Sequence, residues 1–314
     1  MRKFFFLLFI LSIVVTDQSL AQRWKRYRHE AFGGIGATGF LGEVGGGNGP
    51  ARDLFLDLDG KASRYCITGG YRFRVNELFS ARSTLVFGRL YGSDELAGDV
   101  WRRSRNLHFR SPILELAVAG ELYFIPEKAN SRYRVRGIKG ILGSSLSAYI
   151  FTGIAGFWFN PRAQFVGNAK YPGDNKWYSL QPLGTEGQGL SGQKKYSRIS
   201  FAIPLGAGAK YTISRTVSLG LEFGFRYAFT DYIDDVSTVY YDEAKLLAER
   251  GPAAAYFSNP AKPLKDSEGR PVLAGGPMPA GEQRGDPTTK DTYMFAVLTM
   301  NYKFISKKTN RPKF

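Results

Sequence analysis

Few side chains in this sequence have the types and spacing that chemistry needs. There are two histidines, His29 and His108, and a single cysteine, Cys66. A general base is most often histidine, and His108 has Asp94, Ser104, Asp234 and Asp235 as conceivable partners for hydrolysis or acyl transfer. A lone loop histidine fits a surface role equally well. Asp231, Asp234 and Asp235 offer hard oxygen ligands of the kind calcium takes, but as hydrogen-bonding groups at a loop rim they need no metal. Cys66 has no partner for an internal disulfide, and its expected place is that of a small inward-facing residue. No glycine-rich loop precedes a helix, so the glycines suit strand packing and bulges rather than a phosphate cradle. The sequence therefore assigns no catalytic, cofactor or metal site, and the chain is not expected to be an enzyme.

The elements that would position any functional group are strands. In LGLEFGFRYAFTDYIDDVS, residues 219–237, Leu219, Leu221, Phe223, Phe225, Tyr227 and Phe229 occupy every second position, while Glu222 and Arg226 fill gaps between them. Period-two segments of this kind, bounded by turn chemistry, number about eight. The first is glycine-rich, over 31–42. The second sets Tyr65, Ile67, Tyr71 and Phe73 against Arg64, Cys66, Thr68 and Arg72. A turn at 75–77 leads to the third, 79–90. The fourth, SPILELAVAGELYFIP, sets Leu114, Leu116, Val118, Leu122 and Phe124 against Glu115, Glu121 and Tyr123. The fifth spans 148–159, and the sixth sets Ile199, Phe201, Ile203 and Leu205 against Arg198, Ser200 and Lys210. After a turn at 214–215 comes the 219–237 stretch, and TYMFAVLTMNYKF is the last strand.

The N-terminus indicates which solvent meets which face. Met1, Arg2 and Lys3 precede an apolar run from Phe4 to Val15, and Ser19-Leu20-Ala21 stands ahead of Gln22. These are the parts of a cleaved secretory signal, and the run is shorter than the roughly twenty apolar residues of a spanning helix. Later segments are not long and apolar enough for one, so a membrane location requires a closed β-barrel. In a soluble sandwich the charges opposite the apolar faces would be solvated. In an eight-stranded barrel, Arg72, Glu115, Glu121, Arg198, Lys210, Glu222 and Arg226 point into an interior that side chains just fill, where opposite charges must pair. The signal, the scarcity of helices and the alternation of short and long loops favour an all-β, eight-stranded antiparallel transmembrane barrel.

The resulting organisation is a signal over 1–21, a barrel over 22–304 and a basic tail over 305–314. Long outer loops fall at 43–62, 91–108, 160–195 and 231–290, and periplasmic turns at 75–77 and 213–215. Trp158, Trp177, Tyr178, Tyr227 and Tyr232 fall near strand ends, where an aromatic girdle meets the lipid interface. In the last outer loop a short helix is expected, with Ala244, Leu247 and Ala248 on one face; the Pro/Gly-rich remainder reads as irregular.

The formal net charge is +16. Export argues against nucleic acid and for anionic lipid head groups and acidic protein partners. The periplasmic segment 127–145 carries Lys128, Arg132, Arg134, Arg136 and Lys139, and Lys307 and Lys308 follow the last strand on the same side. These form a candidate docking surface for an acidic partner, or a pair of solvated charged segments.

Four stretches carry a family resemblance: NLHFRSPILELA (106–117), FTGIAGFWFNPRA (151–163), WYSLQPLGTEGQG (177–189) and FTDYIDDVS (229–237). Arg284-Gly285-Asp286, shortly before Asp291-Thr292-Tyr293, is a fainter match. Together they resemble the PorG family, small outer-membrane barrel proteins of the type IX secretion system in Bacteroidota. The residues that match the motif loops are Trp177, Gln181, Pro182, Gly184, Thr185, Glu186, Asp231, Tyr232, Asp234 and Asp235. The resemblance implies an outer-membrane subunit associated with the periplasmic ring of the lipoprotein PorK and its partner PorN, and possible contact with the translocon. The machine exports cargo bearing a C-terminal sorting domain, including gliding adhesins. A filled eight-stranded barrel leaves no lumen for such cargo, so the expected work is anchoring or stabilising the ring; a generic structural barrel or adhesin is the alternative.

Overall fold

The computed structural model describes residues 23–44, 61–98, 100–127, 145–190, 192–262 and 277–305. The signal segment 1–21, most of the basic tail, and Lys128, Arg132, Arg134, Arg136, Lys139, Lys307 and Lys308 lie outside the described residues.

Eight long strands are β1 (His29–Leu41), β2 (Arg64–Arg74), β3 (Phe79–Ser93), β4 (His108–Ile125), β5 (Leu146–Phe159), β8 (Ile199–Thr212), β9 (Val217–Ala228) and β10 (Thr292–Phe304). Two short strands, β6 (Arg162–Gln164) and β7 (Trp177–Ser179), lie in the loop after β5. The order β3-β2-β1-β10-β9-β8-β5-β4 closes through a β3–β4 pairing, with every neighbour antiparallel. The sheet is therefore a closed barrel and has no free edge along its long strands. Pairing of His29 with Phe304 joins the start of the first strand to the end of the last at the short-turn end.

Local chemistry sets the two ends apart. The β2–β3 turn is held by Asn76, whose Oδ1 accepts from the amides of Leu78 and Phe79 at 2.8 and 2.7 Å. The β8–β9 turn repeats the device with Ser214, whose Oγ accepts from the Val217 amide at 3.0 Å. These self-contained turns need no other support. The opposite end carries the long loops, and there β3 and β4 pair up to Ser93 and His108. That is three residues beyond each expected end, because the antiparallel pairing continues through Tyr91 with Arg110, Gly92 with Phe109 and Ser93 with His108, where the apolar pattern has already ended.

Burial alternates along each long strand, with the apolar side outward. In register across four strands, Ile67, Ile35, Leu298 and Leu221 are partners in sequence and all are exposed. Ile35 is 67% exposed and Leu221 62%, whereas Glu115 and Lys210 are fully buried. Leu85, Leu116, Val118, Ile154, Phe201 and Leu205 extend this belt round the barrel. An apolar surface of that extent is not tolerated in water; facing lipid it is satisfied, and closing the sheet on itself pairs its long strands with neighbours on both sides, as hydrocarbon demands. The protein is thus a membrane-spanning β-barrel. Gly36, on the inward side of β1, shows how tightly it is drawn: a Cβ there would lie 2.1 Å from the Ala296 carbonyl oxygen.

The long loops fold over the open end as a cap. It contains helices α1 (Val100–Arg105), α2 (Leu180–Leu183), α3 (Glu243–Arg250) and α4 (Pro252–Ser258). Asp242 caps α3 by accepting from the Ala244 and Lys245 amides at 2.9 and 3.2 Å. Leu246 is the fully buried residue of α3, while Ala244, Leu247 and Ala248 are exposed. The expected apolar face is therefore displaced, because docking of α3 beside α4 decides which residue turns inward. Phe165, Tyr171, Leu180, Tyr256 and Phe257 form the apolar centre of this part of the cap.

Candidate functional site

The barrel interior is an ion-paired plug. Arg72 on β2 donates through Nε to Glu121 on β4 at 2.7 Å and reaches Glu222 on β9 at 3.3 Å. It also pairs with Glu30 on β1 and donates to Asn301 Oδ1 on β10 at 3.0 Å. Arg82 joins Glu222 at 2.7 Å and Glu121 at 3.3 Å, its guanidinium 4.0 Å from the Phe151 ring centre. Lys210 reaches Glu30 at 3.2 Å, and Glu127 closes the short-turn end through Lys303, Arg74 and Lys210. Towards the mouth, Arg226 meets Glu115 at 3.4 Å, and Tyr293 donates to Glu115 at 2.7 Å. Such groups are tolerable in a low-dielectric interior only when paired, and together with Tyr123, Tyr149 and Phe151 they occupy the space a channel would need.

Of the seven interior charges the sequence singles out, Arg72, Glu115, Glu121, Lys210, Glu222 and Arg226 are buried inside. Arg198 is not among them: it precedes β8 and stands half-buried at the mouth beside Asn160. It lies one residue before the strand begins, at the rim, where its carbonyl still accepts from the Phe159 amide at 3.0 Å but its side chain meets the mouth rather than the interior network. The network also holds Glu30, Arg74, Arg82, Glu127 and Lys303, which the sequence reading missed. Inward parity in β1, β2, β3 and β10 marks all but Glu127, which lies just beyond β4 and turns back to close the end.

The motif loops converge in the cap. Glu186 accepts from the amides of Ser237 and Thr238 at 2.9 and 3.1 Å and from Thr238 Oγ1 at 2.7 Å, and pairs with Arg284 at 2.7 Å. Arg284 in turn donates to the Asp235 carbonyl at 2.7 Å and the Phe257 carbonyl at 3.3 Å. Asp235, in left-handed backbone at φ 70°, has Thr185 Oγ1 and Tyr196 OH donating to its carboxylate at 2.5 and 2.6 Å. Burial pushes its carboxyl up to about 7 against the pull of Arg284. Gly285 permits this closure, since a Cβ there would lie 2.8 Å from the Ser237 nitrogen.

The remaining motif residues hold the same unit. Trp177 lies under the Arg110 guanidinium, 3.4 Å from the ring centre, with the His108 ring edge-on to it. Gln181 donates to the Tyr196 carbonyl at 2.9 Å, and the Pro182 carbonyl accepts from Lys195 and Arg250 at 3.2 and 3.1 Å. Gly184 ends α2 at φ 64°. Tyr232 stacks on Tyr196 at 4.5 Å between ring centres. Trp177, Tyr178 and Tyr232 thus pack within the cap rather than in a lipid girdle; Trp158 and Tyr227 point outward from the barrel wall. The loops fold onto one another, which removes these rings from the strand ends their sequence positions suggest. His108 accepts from the Gln164 amide at 3.0 Å, and Ser104 donates to the Lys262 carbonyl at 3.1 Å. Cys66 is buried inside the barrel.

At the mouth, Asp231, Asp234 and Asp235 separate. Asp234 accepts from the Val44 and Val236 amides at 3.1 and 3.0 Å, and Asp235 faces Thr185 and Tyr196. Asp231 meets two acids from elsewhere in the chain: one carboxylate oxygen each from Glu43, Asp231 and Asp291 lie within 4.8 Å of one another. Burial, then the charge of Asp231, raises Glu43 to about 7, and burial raises Asp231 to about 6. Asp234 and Asp291 are also held well above the usual carboxylate range, by burial first and then by the neighbouring acids.

Fold and cap together define a small membrane barrel with a sealed interior and a structured lid. A family described as a domain of unknown function (DUF6089) matches residues 188–247, which run from the cap through β8 and β9. Neisserial surface protein A resembles the chain with a TM-score of 0.34 and 8% identity, covering 88% of this chain and 96% of that one. Ail, the attachment invasion locus protein of Yersinia pestis, resembles it with a TM-score of 0.34 and 10% identity, covering 88% and 99%. The outer membrane protein OprG from Pseudomonas aeruginosa gives 0.32 and 8%, covering 90% and 98%. No curated protein matches significantly. Likenesses at this level carry no argument, and the barrel stands on its strand pairing.

Proposed function

We propose that this chain is an outer-membrane barrel subunit of the type IX secretion machinery, which anchors or stabilises the periplasmic lipoprotein ring at the membrane during export. The observation that carries the non-conducting part of this reading is the buried plug: Arg72 and Arg82 with Glu30, Glu121 and Glu222. A barrel filled in this way has no passage for a polypeptide, so its work lies at its surfaces. The secretion assignment rests on the resemblance of the motif loops and on the signal-like N-terminus; its support from geometry is that residues matching those motifs pack together as one cap. In this reading the long-loop end faces outward and the short-turn end faces the periplasm. The belt binds outer-membrane lipids, and the basic segments at 128–139 and 307–308 meet the PorK and PorN ring. The translocon is a further candidate contact of the cap. Catalysis is not assigned, as His108 is already committed to a backbone amide.

The test is affinity purification in mild detergent with a tag placed within 263–276, paired with planar-bilayer recording of the purified barrel. Expected are co-purification of a ring lipoprotein and its partner, their release by combined Arg132→Glu, Arg134→Glu and Arg136→Glu, and no steady conductance. Recovery of the barrel alone, where known envelope complexes stay intact, would make it a generic structural barrel or adhesin. A stable open pore would refute the plug argument.

A further inference from the structure

From the acids at the mouth we infer a calcium site formed by Glu43, Asp231 and Asp291. Two connections supply them: Glu43 follows β1, whereas Asp231 and Asp291 stand at the two ends of the β9–β10 connection. The 4.8 Å limit on their mutual oxygen separations suits one shared ion, because ligands at about 2.4 Å from calcium on opposite sides stand about 4.8 Å apart.

Hydrogen bonding points the same way, independently of proximity. Asp231 is 3% exposed, and among the described residues neither of its carboxylate oxygens has a hydrogen-bond partner. Asp291 is 1% exposed; its Oδ2 accepts from the Ile233 amide at 2.8 Å, whereas Oδ1 has no partner. Glu43 repeats the division: Oε1 accepts from the Asp286 amide at 3.3 Å, and Oε2 has none. Backbone amides therefore orient two of the carboxylates and leave one oxygen of each open, while Asp231 has both open for bidentate binding. Buried carboxylate oxygens are ordinarily satisfied, and four open ones in a single cluster require a cation or protons.

Among the described residues, the nearby cations Arg105 and Lys290 make their hydrogen bonds elsewhere. Arg105 is paired with Asp94 at 2.8 Å and donates to the backbone carbonyls of Glu43 and Arg284, and Lys290 donates to the Pro287 carbonyl at 2.8 Å. An all-carboxylate, hard-oxygen set selects calcium over softer transition metals. Bound there, the ion would tie the β1, β9 and β10 ends of the mouth beneath the cap, completing its coordination with water or backbone carbonyls.

The experiment is calcium titration by calorimetry of the EDTA-washed, full-length barrel in detergent, with thermal unfolding followed in parallel. Expected are one calcium per barrel, with a dissociation constant on the order of 10⁻⁴ M, and a raised unfolding temperature. Asp231→Asn, Glu43→Gln and Asp291→Asn should each weaken binding more than 10-fold, whereas Asp174→Asn, an exposed acid elsewhere in the cap, should leave it unchanged. Heat-modifiable migration on gels reports folding of each variant, and any variant that fails to fold is replaced in the comparison by the other two. Absence of calcium binding by the wild-type chain overturns the site. So does unchanged binding in the folded variants, or magnesium binding as tight as calcium.

Discussion

Glu186 is the side chain whose loss should open the cap without unfolding the barrel. It is 1% exposed at the side chain and faces Arg284 at 2%, and it accepts from two backbone amides and a hydroxyl as well. Glu186→Ala leaves a guanidinium buried without its counter-ion, a cost of about 3–5 kcal/mol. It also strands the Ser237 and Thr238 amides, at about 1–3 kcal/mol each where water cannot reach them. Arg284 keeps the Asp235 and Phe257 carbonyls, so the terms overlap, and the net cost is about 5 kcal/mol. That is enough to populate local opening in a protein of ordinary stability. Pulse proteolysis of reconstituted barrel, with cleavage sites mapped by mass spectrometry, should show cuts within 177–190 and 230–290 while heat-modifiable migration stays intact. Glu186→Gln, which keeps an acceptor and removes the charge, should fall between wild type and Glu186→Ala. Adding Arg284→Met to Glu186→Gln should recover part of the loss, because it removes the unpaired charge. A cap that stays protected to within about 0.5 kcal/mol in Glu186→Ala would refute the reasoning, as would a double variant no better than the summed singles.

The barrel plug makes a parallel prediction: Arg72→Leu, which leaves Glu30, Glu121 and Glu222 short of a partner, should cost about 3–5 kcal/mol in reversible urea unfolding from vesicles, and an unchanged midpoint and slope would count against it. Asp235 gives a pH dependence. Its carboxyl is pushed up to about 7 from an ordinary 3.8, chiefly by burial, with Arg284 opposing and Glu186 adding to the rise. The closed cap therefore holds a proton that the open cap releases, so its stability is full below about pH 4, falls by at most about 1.4 kcal/mol per pH unit up to about 7, and is then level. Asp235→Asn should remove that portion of the slope in proteolysis measured from pH 4.5 to 7.5; identical slopes in the two proteins would show that Asp235 does not titrate there.

Strand number and facing were legible because both follow from short-range pattern. Leu114, Leu116 and Val118 alternate with Glu115 and Ala117, and no arrangement of a closed barrel in lipid can reverse which set faces out. The interior acids and bases followed from the same parity, and Arg198 failed where parity outran the strand. The two tight turns were legible in Asn76 and Ser214, which satisfy their own neighbours.

What tertiary structure alone decided was the partnering of residues far apart in sequence. Glu186 and Arg284 stand 98 positions apart, and no periodicity relates them; their ion pair exists because two loops leave neighbouring parts of one barrel rim. The same holds for Glu43, Asp231 and Asp291. The sequence offered Asp231, Asp234 and Asp235 as a closely spaced acidic group, whereas the fold turns Asp235 to Thr185 and Tyr196, occupies Asp234 with the Val44 and Val236 amides, and brings Glu43 and Asp291 to Asp231. Closing β1 on β10 and β9 on β10 sets those distances. A sequence can determine which face of a strand meets lipid, since that depends on neighbours two residues away; which acids meet at the mouth depends on the closure of the whole sheet.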